Sequence, residues 1–243
     1  MEKLKIGKTI INYEMKPDKR AKRIKIRIVK GQVKVSFPPG TDKKRVKEFV
    51  ESQKEWIIKT LGNYQNQKEQ RPLKIYQEGE EYLFRGKKYQ LRIKSSEGIK
   101  ATVKLLEDSI LILLPKDADD SNRSSQIKEI LVSWYRDEAK RVYKSKLEHY
   151  ALLMDCKYNQ LRVKNQSTRW GSCSTKGNIN LNWRIIMAPD EVINYLIVHE
   201  LAHLKHMNHS QDFWNFVAIF MPDFAIWRKW LKDNGKFLSF ENT

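Results

Sequence analysis

Two changes of pattern along the chain predict an α+β fold. Strand-like alternation dominates to about residue 115, and helical periodicity dominates from residue 116 onward. A third observation, the pentad His199-Glu200-Leu201-Ala202-His203 on an apolar helix, puts the chemistry in the second half. The expected organisation is a β-rich, basic N-terminal part over residues 1–115 and a hydrolase domain over residues 116–243, able to pack as one unit. An active-site helix should lie beside a small antiparallel sheet.

Residues 1–40 read as short strands ending at Phe37-Pro38-Pro39-Gly40. Within them Ile24, Ile26 and Ile28 alternate with Lys25 and Arg27, the period-two pattern of a strand with one face buried and a basic face in water. From Asp42 an amphipathic helix carries Val46, Phe49, Val50, Trp56, Ile57 and Leu61; Gly62-Asn63 is its stop, and residues 64–71 form a polar linker. Hairpin-like strands follow at residues 81–84 and 89–93 around Arg85-Gly86-Lys87-Lys88, then at residues 100–105 and 109–114. The polar, cap-rich stretch 117–125 opens a long helix with a stripe of Ile127, Leu131, Trp134, Tyr135, Val142, Leu147 and Tyr150. No sequence repeat is visible. Residues 161–184 read as a hairpin turning at Lys176-Gly177-Asn178, with Trp170, Leu181 and Trp183 as packing residues and Gly171 open to close approach. The site helix starts at Pro189-Asp190-Glu191, a favourable first turn, and Val192, Ile193, Leu196 and Ile197 give it a buried face. A last helical stretch with Phe213, Phe216, Val217 and Phe220 ends at Met221-Pro222, and with Phe224, Trp227, Trp230 and Leu231 it packs under the site.

Four of the five histidines lie at His199, His203, His206 and His209. Residues four apart on a helix share a face, so His199 and His203 can close on one Zn2+ ion at about 2.0–2.1 Å. Glu200 is rotated by about 100° from that face and suits a general base acting on water at the metal. His206 would sit about 10 Å along the axis from His199 in a straight helix, too far to share the ion. His209 reaches it only if the chain leaves the helix and doubles back, for which Asn208 is suited; Ser210 can then cap the next helix. A carboxylate ligand is the other common choice, yet only Asp212, Asp223 and Asp233 follow. The expected metal set is His199, His203 and His209, with His206 near the substrate or exposed.

The formal charge of +18 predicts attraction to polyanions, nucleic acid among them, although a solvated basic strand face accounts for part of it. The first residues lack the apolar core of a signal peptide, and the longest apolar runs, such as residues 110–114, are too short to span a bilayer. A cytoplasmic protein without membrane partners is expected. Cys156 and Cys173 are too few for a disulfide framework, and Cys173 reads as a small filler. Arg169 and Arg184 flank the hairpin next to the site helix, where guanidinium groups hold carboxylates or phosphates.

The run Arg169-Trp170-Gly171-Ser172-Cys173, the run Asn180-Leu181-Asn182-Trp183-Arg184, Met187-Ala188-Pro189, and the pentad continuing through Asn208-His209-Ser210 to Phe213-Trp214 resemble the YgjP-like metal-dependent hydrolases. These are related to the SprT-like and WLM zinc peptidases, and the resemblance covers most of the chain. It implies a compact zincin-like domain, zinc at His199, His203 and His209, and Glu200 as catalytic base.

Three functions follow as expectations. The first is a zinc metallopeptidase acting on peptides or proteins, with Arg169, Arg184 or His206 as candidate substrate-binding or oxyanion groups. The second is a nucleoside triphosphate pyrophosphatase using the same metal site, an activity assigned to some relatives, with Arg169, Arg184 and Lys205 holding phosphate. The third is a non-catalytic nucleic-acid-binding module with structural zinc.

Overall fold

The structure, a computed structural model, describes residues 1–6, 9–29, 31–69, 74–116, 122–166 and 168–239. It is a mixed α+β chain divided into two compact units, Met1–Leu73 and Lys74–Asn242. Among the described residues no helix is long and apolar enough to cross a membrane.

In the first unit, strands β1 (Glu2–Ile6), β2 (Thr9–Pro17), β3 (Lys25–Val29) and β4 (Gln32–Phe37) form a sheet in the order β1-β2-β4-β3. The central β2–β4 pair is parallel and the outer pairs are antiparallel. Leu4, Tyr13, Val33, Val35 and Phe37 turn inward onto Val46, Val50 and Ile57 of helices α1 (Lys43–Ser52) and α2 (Lys54–Glu69). Ile24, Ile26 and Ile28 pack against this core, so the alternation read at that strand holds. Asp42 caps α1, its side chain accepting from the Lys44 N–H at 2.9 Å.

Two expectations fail here. The single helix is two, broken at Gln53, and Gly62-Asn63 does not stop the second, which runs to Glu69. One helical glycine costs only about 1 kcal/mol against alanine, and the following Gln, Lys and Glu are good helix formers. Tyr64, expected in a linker, instead lies against the β3–β4 turn, where a Cβ on Gly31 (φ +75°) would stand 3.0 Å from its ring. Residues 70 and 71 of that linker lie outside the described residues.

The second unit opens with β5 (Glu81–Phe84), β6 (Lys87–Ser96), β7 (Thr102–Leu105) and β8 (Ser109–Pro115), in the order β5-β6-β8-β7 with β6 and β8 parallel. Strand order and directions repeat those of the first sheet, a recurrence of topology that no sequence repeat announces. Helix α3 (Arg123–Leu153) lays Ile127, Leu131, Tyr135, Val142 and Leu147 into the core, and the Tyr135 hydroxyl donates to the Leu83 carbonyl at 2.7 Å. Of the cap-rich stretch before it, residues 117–121 lie outside the described residues. Because these strands bury their apolar face with α3, the boundary between units falls after Leu73, whereas the change from strand to helix pattern comes at residue 115.

After α3 come β9 (Gln160–Lys164), β10 (Gly171–Cys173), β11 (Asn178–Asn182), a 3-10 turn (Trp183–Met187), and helices α4 (Asp190–Ala202), α5 (Gln211–Phe220) and α6 (Phe224–Asn234). β10 and β11 form the expected antiparallel hairpin, turning at Lys176-Gly177. β9 pairs with β11 in parallel on its other edge.

Candidate metal centre

Helix α4 is clamped at its start. The β5–β6 turn donates backbone N–H groups of Arg85 and Gly86 to the carbonyls of Ile186 (2.8 Å) and Met187 (3.1 Å), in the turn that feeds α4. The Arg85 guanidinium also binds Asp190, the first residue of α4, through Nε at 2.7 Å and through Nη2; Lys146 Nζ lies 3.2 Å from the same carboxylate. These cations hold the Asp190 carboxyl below its ordinary pKa, the Arg85 hydrogen bond acting most strongly. With Val192, Ile193, Ile197, Val198, Leu201 and Ala202 buried, α4 has one orientation available.

The helix ends at Ala202, with His203 at its cap. Backbone N–H groups of Lys205 and His206 return to the Ala202 carbonyl at 3.1 and 2.9 Å, turning the chain out of the helix. Ser210 then caps α5, its hydroxyl accepting from the Phe213 N–H at 3.4 Å. This reversal brings His209 Nε2 to 3.0 Å from His199 Nε2, and ligand atoms of His199, His203 and His209 all lie within 4.8 Å of one another. Two nitrogens on one tetrahedral zinc are about 3.3 Å apart, so the donor set fits the ion.

The protonation states fit it too. Burial, reinforced by the charges of His203, His209 and Arg228, pushes the His199 imidazole down to about 3, and burial lowers that of His203. Neutral imidazoles present lone pairs. His203 Nδ1 faces the His206 carbonyl at 3.2 Å, which leaves Nε2 toward the centre. His206 thus acts here through its backbone, and its ring lies 5.6 Å from that of Phe216. Phe213, fully buried, is the floor, its ring centroid 5.0, 4.7 and 4.8 Å from those of His199, His203 and His209.

Glu200 is 4% exposed, and its Oε2 has no hydrogen-bond partner. Burial pushes its carboxyl up to about 8, against the opposing charge of Arg169. The carboxylate lies against β10 at a place only glycine permits: a Cβ on Gly171 would stand 2.3 Å from Oε1. The close approach anticipated at Gly171 is therefore made by the Glu200 side chain. Cys173, half-buried beside it, has its thiol pushed up to about 11 by burial and by the Glu200 charge, which disfavours the thiolate.

The three cationic candidates separate. Arg169 is exposed, on the loop entering β10, within electrostatic reach of Glu200. Arg184 is buried, donates to Asn165 Oδ1 and stacks over Trp183 at 4.7 Å, so its guanidinium is engaged within the protein. Lys205 is exposed on the turn after α4. Sequence reasoning passed over two residues. Asn182, 1% exposed, donates to the carbonyls of Gln166 (2.7 Å) and Arg169 (3.2 Å), fixing the loop that carries Arg169. Arg228 of α6 lies over the Trp214 ring at 4.5 Å, and that ring stacks on His209 at 5.6 Å, which puts a guanidinium on the α6 side of the histidines. Asn182 stood in a motif without an assigned part; nothing in sequence connects Arg228 with His199.

A family model described as YgjP-like, metallopeptidase domain, matches residues 22–234. Among solved structures, the metallopeptidase zymogen of Pyrococcus abyssi abylysin is 26% identical, with TM-score 0.34, over 37% of this chain and 93% of that one. The metallopeptidase zymogen of Methanocaldococcus jannaschii jannalysin is 22% identical, also with TM-score 0.34, over 39% and 96%. No curated protein matches significantly.

Proposed function

The chain belongs to the YgjP-like metallopeptidase-domain family, and from that membership we propose a zinc-dependent peptidase in which His199, His203 and His209 hold the metal and Glu200 is the base. The observation that carries the proposal is the convergence of three imidazoles on one point, with a buried carboxylate on the residue after the first of them on the same helix.

When bound, zinc would polarise the scissile carbonyl and make water a better nucleophile. The chain's own residues do the rest. Glu200 takes a proton from the attacking water and passes it to the leaving amine. Its pKa, raised by burial against the opposing charge of Arg169, suits the second step. Gly171 lets β10 hold the carboxylate against the helix. Asn182 positions the Arg169 loop, and Arg169 and Arg228 supply positive charge for a peptide carboxylate or a developing oxyanion. The free Cys156 and Cys173 suit a reducing compartment such as the cytoplasm.

The pyrophosphatase alternative drew on Arg169, Arg184 and Lys205; with Arg184 committed to Asn165 and Trp183, it keeps two of its three phosphate-binding groups. The test is hydrolysis of an unstructured protein by the zinc-loaded chain and by Glu200→Gln. Cleavage lost in the variant, with one zinc per chain retained in both, is expected. Pyrophosphate release from nucleoside triphosphates without peptide cleavage would replace the proposal.

A further inference from the structure

The first unit has its own chemistry. Residues 1–73 hold 20 Lys and Arg against 8 Asp and Glu, most of the excess behind the net charge of +18. The sheet gathers part of this on one face. With Leu4, Tyr13, Val33, Val35, Ile26 and Ile28 turned to the core, strand alternation sends Lys3, Lys5, Lys16, Lys25, Arg27 and Lys34 to the opposite side, with Glu14 as the acid among them. Arg27 and Lys34 stand directly opposite on β3 and β4, a like-charge pairing that destabilises a sheet.

Solvation alone does not require this arrangement, as the second sheet shows. It has the same strand order, yet its Lys88 pairs with Glu81 at 2.8 Å and its Arg92 with Asp108 at 3.0 Å. Among the described residues of the first sheet's face, only Lys34 has an acid, Glu14, at 3.7 Å. Lys16, Lys25 and Arg27 make no ion pair among the described residues.

Two hollows shape the surface. One, of about 560 Å³, is lined by Lys16, Lys19, Arg20, Arg27 and Lys34; its further acid, Asp18, is engaged by the Arg20 backbone N–H at 2.9 Å. The other, of about 740 Å³, is lined by Lys22, Arg23, Lys25, Arg27 and Arg45, with no acid. Arg27 lines both, so the two basic hollows adjoin at edge strand β3 and together make a basic track.

The geometry points to a nucleic-acid-binding surface: this track and the outer face of the first sheet take the phosphate backbone of a duplex, without reading bases. Lys25 and Arg27, alternate residues of β3, are about 6.6 Å apart, a spacing that lets both meet a backbone charged at every nucleotide. The outward residues of the sheet include no aromatic ring to stack bases, and the second hollow has one, the half-buried Phe49 of α1, so charge is the main means of recognition.

The test is anisotropy of short labelled duplexes of two unrelated sequences with the full chain. Contact with about six phosphates predicts affinity falling on the order of 10³-fold between 50 and 200 mM salt, equally for both sequences. The triple variant Lys25→Gln, Arg27→Gln, Lys34→Gln should reduce the salt slope by about one unit per cation removed. The triple Lys140→Gln, Lys157→Gln, Lys176→Gln in the second unit, which removes the same net charge, should leave it unchanged. The single variants Lys25→Gln and Arg27→Gln, checked by circular dichroism, give the same reading if the triple does not fold. Equal losses in both triples, tenfold preference for one sequence, or binding to phosphatidylglycerol vesicles but not to duplexes would overturn the inference. Removing zinc should not affect duplex binding, so failure here is distinct from failure of the peptidase reading.

Discussion

Replacing Gly171 by alanine tests whether the Glu200 carboxylate works where the fold puts it. The new Cβ would stand 2.3 Å from Glu200 Oε1, 2.8 Å from Cδ and 2.9 Å from Cγ, where ordinary contact begins at 3.4 Å. The carboxylate must move by about 1 Å, and a displacement of that size costs on the order of 10²-fold in rate. Gly171 is not among the positive-φ glycines, so alanine adds no backbone strain. The three atoms nearest the new methyl all belong to Glu200, and metal content should stay at the wild-type value. We expect kcat/KM on a fluorogenic protein substrate to fall about a hundredfold, mostly in kcat, with zinc stoichiometry unchanged. Activity within threefold of wild type in a zinc-loaded variant would refute both the contact and the role given to Glu200.

Chelation or His209→Ala should remove zinc and lower the melting temperature. Ion at a hundredfold excess over its dissociation constant stabilises by about 2.7 kcal/mol, so a thermal midpoint indifferent to EDTA would count against the metal centre. Arg184→Ala should act on stability: loss of a charged hydrogen bond and of stacking on Trp183 costs about 2 kcal/mol, read by urea denaturation, with KM for substrate unchanged. A raised KM at unchanged stability would return Arg184 to the substrate. Asp190 gives a pH signature. Its pKa is depressed in the folded chain by Arg85, so its stabilisation is complete above the unfolded value of about 3.9 and is lost as pH falls through the lower folded value. Asp190→Asn should lower the midpoint at neutral pH and flatten its acid limb; parallel pH profiles for the two proteins would show that the Arg85–Asp190 clamp contributes nothing.

Local chemistry determined much of what the sequence disclosed. Alternation at residues 24–28 and the stripe from Ile127 to Leu147 are properties of one strand and one helix, so β3 and α3 were legible without knowledge of partners. The pentad's spacing likewise made His199 and His203 neighbours on α4, and Ser210 marked the next cap. Elements whose limits depend on what they pack against were not legible. Helix α2 continues past Gly62, and Tyr64 of that helix lies against Gly31. Strands β5–β8 belong with α3 because they bury their apolar face with it, although strand pattern alone grouped them with the N-terminal part. Within the site the division is the same. Sequence composition named the donors and the base. Tertiary structure alone decided that Arg184 turns inward while Arg228 lies near the histidines, that Asn182 ties the Arg169 loop, and that Gly171 accommodates Glu200. Each of those facts is a contact between segments far apart in the chain, set by how whole elements pack, and no periodicity within one segment records it.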